Sequence, residues 1–158
     1  MSARIDYVTM TDDTRRDVVV AMMRGLYAED PASAPVDAAR FPETIRVLLA
    51  HPERGRIVLL MEDDDVRGYT LLIPYWSNEF GGTLMFIDEL FVMPDARGRG
   101  LGRGFVEWVK GERPYDAVAV LLEVSPANVR ARRLYESLGF VARANALLVC
   151  RLGVEPRA

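Results

Sequence analysis

The sequence predicts a single α/β domain spanning residues 1–158, with a mixed central sheet of about seven strands flanked by about four helices. Three observations carry this. The 158 residues, half of them hydrophobic, are enough for one substantial core and too few for two ordinary ones. Between residues 84 and 124 an apolar run, a glycine-rich turn, an amphipathic stretch and a second apolar run make one strand–helix–strand crossover, which should be parallel and right-handed. Upstream, the runs at 57–61, 66–76 and 84–92 are separated only by short polar turns, as in an antiparallel meander.

Each element follows from local pattern. Residues 3–9 alternate, with Ile5 and Tyr7 on one face, and read as a first strand. Thr11, Asp12 or Asp13 can cap a helix over 14–28, where Val18, Val19, Met22, Met23 and Leu26 share a face. Pro31 and Pro35 end it, and a second helix over 42–50 buries Ile45, Leu48 and Leu49. After the meander, whose charged turn at 62–65 lacks the spaced ligands of a calcium loop, Leu101, Phe105, Trp108 and Val109 mark a helix that stops near Gly111 and Pro114. Residues 117–124 form an apolar strand covered on both faces. Ser125 is a candidate cap for a last helix, with Pro126 at its first position and Gly139 at its end. Residues 140–143 and 146–152 read as a closing pair of strands, burying Cys150.

Bulk properties exclude several classes. A net charge of −3 and a pI near 5.3 argue against a nucleic-acid binder. No apolar run approaches membrane-spanning length, and residues 1–10 have no signal-like apolar stretch, so a cytoplasmic protein without a membrane partner is expected. One histidine and one cysteine make a metal site improbable.

The chemistry concentrates at residues 91–104, Phe-Val-Met-Pro-Asp-Ala-Arg-Gly-Arg-Gly-Leu-Gly-Arg-Gly, where a strand runs into a turn that opens a helix. Without Cβ atoms, Gly98, Gly100 and Gly102 let a ligand approach main-chain N–H groups, and a helix start favours phosphate. A Walker loop requires Lys-Ser/Thr after the last glycine, but Arg103 and Gly104 follow Gly102. A dinucleotide fingerprint requires glycine at 103, which is arginine, although Glu123 lies at a suitable distance downstream. The pattern that remains is R-x-x-G-x-G, formed by Arg97, Gly100 and Gly102 after Val92-x-Pro94. One strand further on stands Asn128-x-x-Ala131-x-x-Leu134-Tyr135-Glu136-x-Leu138-Gly139-Phe140.

Together these two blocks resemble the acyl-CoA-binding motif and the N-x-x-A-x-x-L-Y-x-x-L-G-F block of the GNAT superfamily of N-acetyltransferases. The order of elements resembles that fold over nearly the whole chain, and residues 86–93 are nearest to the polyamine and aminoglycoside type. The resemblance implies an acetyl-CoA-dependent acyltransferase whose sheet splays between the fourth and fifth strands. CoA would be held by main-chain groups of Leu90, Phe91, Val92 and Met93, by the turn of Arg97, Gly98, Arg99, Gly100, Leu101, Gly102 and Arg103, and by Asn128 and Tyr135. Tyr135 matches the family's proposed general acid. Asp88 or Glu89 would be the base, with Asp88 favoured by analogy; as strand neighbours their side chains should point to opposite faces. Glu29 and Asp30, with Tyr75, Trp76 and Glu79 at a hairpin rim, would meet a small cationic amine. A protein amino group as acceptor, a catalytically idle acyl-CoA-binding domain and a homodimer stay open.

Overall fold

The computed structural model describes residues 3–30 and 35–153. The expected stop at Pro31 lies outside them. Strand β1 (Ile5–Thr9) is followed by helices α1 (Arg16–Glu29) and α2 (Phe41–Ala50), then by strands β2 (Arg56–Glu62), β3 (Asp65–Ser77) and β4 (Gly82–Val92). Helix α3 (Leu101–Glu112), strand β5 (Ala119–Leu122) and helix α4 (Val129–Ser137) complete the order. The sheet runs β1-β2-β3-β4-β5, antiparallel throughout except for the β4–β5 pair, which is parallel as the crossover predicts.

Alternation in the strands divides the interior in two. On one face Val19, Met22 and Met23 of α1 and Ile45 and Leu48 of α2 pack on Ile57, Leu59, Tyr69, Leu71 and Phe91. On the other, Leu101, Phe105, Val106 and Val109 of α3 cover Val58, Leu60, Leu72, Met85 and Ile87, with Leu138 closing the end. Burial of these apolar faces is the main force holding both helical layers to the sheet.

Two features of β4 position the site. Its register with β3 shifts between Leu71, which faces Glu89, and Leu72, which faces Ile87, so Asp88 is the extra residue of a β-bulge. Its pairing with β5 covers only residues 84–87. From Asp88 to Val92 the β5 side of β4 therefore has no strand beside it among the described residues, and the sheet opens there.

The structure corrects the sequence reading in four places. Five strands form, and residues 140–152 carry none of the expected closing pair. Val141, Leu147, Leu148, Val149 and Leu152 are exposed, and so is Cys150. An apolar run becomes a strand only where an open edge receives it, and composition does not report that. Helix α4 starts later than expected: Asn128 caps it by accepting a hydrogen bond from the Ala131 N–H at 3.1 Å, while Ser125 and Pro126 lie in the turn before it. Helix α1 has no side-chain cap, Asp12 instead closing the preceding turn through the Thr14 N–H at 2.9 Å.

Candidate functional site

The glycine turn is shaped to expose main chain. Gly98 and Gly100 hold positive φ of 79° and 88°, which the turn requires and which L side chains adopt only with strain. Among the described residues the N–H groups from 98 to 103 find no hydrogen-bond partner, and intrahelical bonding begins with Gly104 N–H to Gly100 C=O at 2.8 Å. A Cβ at Gly100 or Gly102 would meet nothing within 4 Å, and at Gly98 only Arg130 Nη2 at 4.0 Å. The turn thus presents unpaired amides, the positive end of α3 and a guanidinium to open space, the setting an anion favours.

The arginines within the turn are braces. Arg97 donates from Nε to Val92 C=O at 2.8 Å and from Nη2 to both Glu29 carboxylate oxygens at 2.9 and 2.7 Å, tying α1 to the end of β4. Arg99 grips the buried carboxylate of Glu62 at 2.8 and 2.7 Å and reaches Asp95 C=O at 2.6 Å. Arg103 donates to Ser137 Oγ at 2.8 Å, joining α3 to α4. The turn keeps its shape through side chains and leaves its amides unused.

At the bulge the two acids share the α1–α2 face, correcting the expectation of opposite faces. The reason is the inserted residue: Met85, Ile87, Leu90 and Val92 all pack on the α3 side, which leaves Asp88 and Glu89 together on the other. Glu89 accepts from Tyr27 Oη at 2.6 Å and Tyr69 Oη at 2.7 Å, one phenol per oxygen. Burial pushes its carboxyl up, the two phenols pull it down, and the Asp88 charge adds a smaller upward push. Tyr27 and Tyr69 rise in turn, by burial first and by the adjacent carboxylate second. Asp88 has no such donors and its side chain is exposed on one side; partial desolvation against β4, then the charge of Glu123 just beyond β5, raises its carboxyl above the ordinary range.

Tyr135 packs into the same apolar cluster as Leu90 and Val92, its ring 5.7 Å from that of Phe140. Burial raises its phenol, whose oxygen remains accessible and without a hydrogen-bond partner among the described residues.

This combination, an opened parallel pair, an amide turn at the helix that follows and a tyrosine on the next helix, agrees with the family comparison. The profile of the acetyltransferase (GNAT) family matches residues 20–140. The chain belongs to the GNAT family of acetyltransferases.

Solved structures agree with that assignment. An integron cassette protein from the mobile metagenome of Cole Harbour Salt Marsh is 30% identical, with 94% of this chain and 91% of that one covered and a TM-score of 0.76. An aminoglycoside N-acetyltransferase, AAC(6')-Iy, solved in complex with CoA, is 15% identical, with 96% and 97% covered and a TM-score of 0.76. A predicted acetyltransferase from Clostridium acetobutylicum, solved with acetyl-CoA, is 14% identical, with 93% and 96% covered and a TM-score of 0.74. Comparison with curated protein sequences gives no match. The donor in the GNAT family is acetyl-CoA, and the free amides and unfilled glycine space of the turn fit its pyrophosphate.

The residues expected to meet the acceptor are not brought to one place. The carboxylate of Glu29 is taken by Arg97, and that of Glu79 by Arg143 Nη2, 2.9 Å from each of its oxygens. Asp30 is exposed at the end of α1. Tyr75 and Trp76, 44% and 72% exposed, pair with Leu84 and Thr83, about 13 Å or more along β4 from Asp88. Asn128 spends its side-chain oxygen on capping α4, leaving its amide NH2 to donate.

The sequence reading missed the two phenols that hold Glu89, the charge of Glu123 acting on Asp88, and the Arg99–Glu62 tether. It also missed an open cleft of about 470 Å³ beside Asp88, walled by Val47 and Leu48 of α2 and Leu71 and Ile73 of β3. Alternation in β3 already put Tyr69, Leu71 and Ile73 on one face. That this was the face of the acids depends on the bulge.

Proposed function

We propose that the protein transfers an acetyl group from acetyl-CoA to the primary amine of a small molecule, directly, within a ternary complex. One observation carries this reading: the bulge sets Asp88, a carboxylate with raised proton affinity, at the point where β4 loses its parallel neighbour. From there β4 runs toward the amide turn with no strand on its β5 side among the described residues, Arg97 holding only Val92 C=O at its end.

An alkylammonium with a pKa near ~10 is no nucleophile until it loses a proton. Asp88 takes that proton, directly or through a water, and its raised affinity brings it nearer the amine than an ordinary aspartate. Glu89 has both oxygens engaged by Tyr27 and Tyr69, so it fixes the bulge and leaves the proton to Asp88. Main-chain groups of Leu90 to Met93, apart from the Val92 C=O held by Arg97 and the Met93 N–H held by Arg67 C=O, hold the donor's extended arm and one N–H polarises the thioester carbonyl. The amides of 98–103, with Arg130, take the pyrophosphate. As the N–C bond forms and the C–S bond breaks, Tyr135 protonates the departing thiolate, and one proton in total passes to solvent.

Thiol release from acetyl-CoA tests the reading. Asp88→Asn should lower kcat by about a hundredfold or more. Tyr135→Phe should lower kcat and remove its decline at high pH; full turnover by that variant at every pH would remove the acid role. An idle acyl-CoA binder would be stabilised by acetyl-CoA and release no thiol with any amine.

A further inference from the structure

Of the acids expected to meet a small cationic amine, Glu29 and Glu79 are held by Arg97 and Arg143 and Asp30 lies exposed at the end of α1, whereas the cleft beside Asp88 has a different lining. Its walls are the aliphatic Val47, Leu48, Leu71 and Ile73 together with Thr44, whose hydroxyl donates to Arg40 C=O at 3.4 Å. Two charged side chains of α2 and the turn before it reach its rim. Glu43 has both oxygens bound by Arg46, at 2.6 and 2.8 Å, and Arg40 adds a guanidinium of the sign that repels an ammonium. Glu123 acts on Asp88 from the β5 side and does not line the cleft. Of the two carboxylates that line the space only Asp88 has no ion-pair partner among the described residues, and it stands against four aliphatic side chains, the Thr44 hydroxyl and the paired Glu43 and Arg40.

We infer that the acceptor is a monoamine with an apolar body, seated against Val47, Leu48, Leu71 and Ile73, its single nitrogen at Asp88; this rests on the acetyl-transfer reading above. A volume of about 470 Å³ suits a compact alkyl or aryl group. A polyamine or aminoglycoside would bring further ammonium groups into the cleft, where among the described residues no unpaired carboxylate besides Asp88 waits for them: Glu43 is held by Arg46, and Arg40, 3.9 Å from Asp37, offers no acceptor. An apolar body releases water from the walls instead. Each methylene that finds cover should raise kcat/KM roughly threefold to fourfold until the cleft is filled.

The test uses the full chain with acetyl-CoA and follows thiol release with ethylamine, butylamine, hexylamine and 2-phenylethylamine beside spermidine and kanamycin. The expected result is a kcat/KM that climbs along the alkyl series and exceeds that of both polycations by tenfold or more. Val47→Glu, at a half-buried position with room to hold a charge, should raise KM for hexylamine about tenfold and narrow the gap to spermidine, with an unchanged melting temperature. Val47→Leu should keep the wild-type order and shows that the effect is one of charge. Spermidine or kanamycin matching the best monoamine, or a flat alkyl series, overturns the inference and leaves acetyl transfer standing. No thiol release with any amine overturns both.

Discussion

Gly104 ends the glycine run but plays a different part from the other three, and one substitution exposes it. A Cβ at 104 would run into Tyr7 Oη, whereas at Gly111, on the same helix, it would meet nothing within 4 Å. Replacing glycine by alanine in a helix gains about 1 kcal/mol of backbone propensity. At 104 that gain is opposed. The Tyr7 ring lies 5.8 Å from Phe105 and 5.9 Å from Trp108, and its hydroxyl donates to Leu101 C=O at 3.1 Å, so the ring cannot swing aside without losing both. Overpacking costs about 1–3 kcal/mol and the lost hydrogen bond about 1 kcal/mol, leaving Gly104→Ala about 1–3 kcal/mol less stable. Thermal unfolding should show Gly104→Ala lowered by about 3–10 °C and Gly111→Ala raised by about 2–4 °C. Adding Tyr7→Phe removes the obstructing oxygen and should restore most of the loss. A Gly104→Ala protein as stable as Gly111→Ala, or no recovery in the double variant, would refute this packing argument.

Further outcomes follow from the same geometry. Gly102→Ala, whose new Cβ meets open space, should leave the melting temperature unchanged or higher and raise KM for acetyl-CoA several-fold, by filling the gap over the amides; initial rates at varied donor check it. Because partial desolvation and Glu123 raise Asp88, the acidic limb of kcat against pH should lie above the ordinary aspartate value near ~3.9, with activity growing as pH rises through it. Tyr69→Phe should cost about 1.5–3 kcal/mol at neutral pH by removing a donor to a half-buried carboxylate. Glu89 is raised on folding, so its contribution to stability is complete below its unfolded pKa and is lost as pH rises through the folded one. Losing the Tyr69 donor raises that folded value further, so the deficit measured by urea unfolding should shrink on acidification from pH 7 to pH 4.

Most of the scaffold was legible because periodicity reports burial. The α3 stripe of Leu101, Phe105 and Val109 and the β2 run both appear as read, since each is buried by neighbours the pattern itself implies. The turn was legible because glycines with open space around them have no packing reason to be there. Three things were hidden. The bulge leaves no mark in composition, so the shared face of Asp88 and Glu89 could not be read from alternation. Salt bridges between distant residues, Arg97 with Glu29 and Arg143 with Glu79, turned apparent acceptor acids into braces. The run at 146–152 has the composition of a strand, and strand formation depends on a partner that sequence does not name.

The bulge also makes β4 change phase halfway along. Before it odd-numbered residues, Met85 and Ile87, face α3; after it even-numbered ones, Leu90 and Val92, do so. Deleting one residue between Ile87 and Leu90 would bring the strand back to unbroken alternation with every core side chain on its present side. The β3–β4 pairing runs in register on either side of it, and the acidic corner is a one-residue insertion in an otherwise regular ladder.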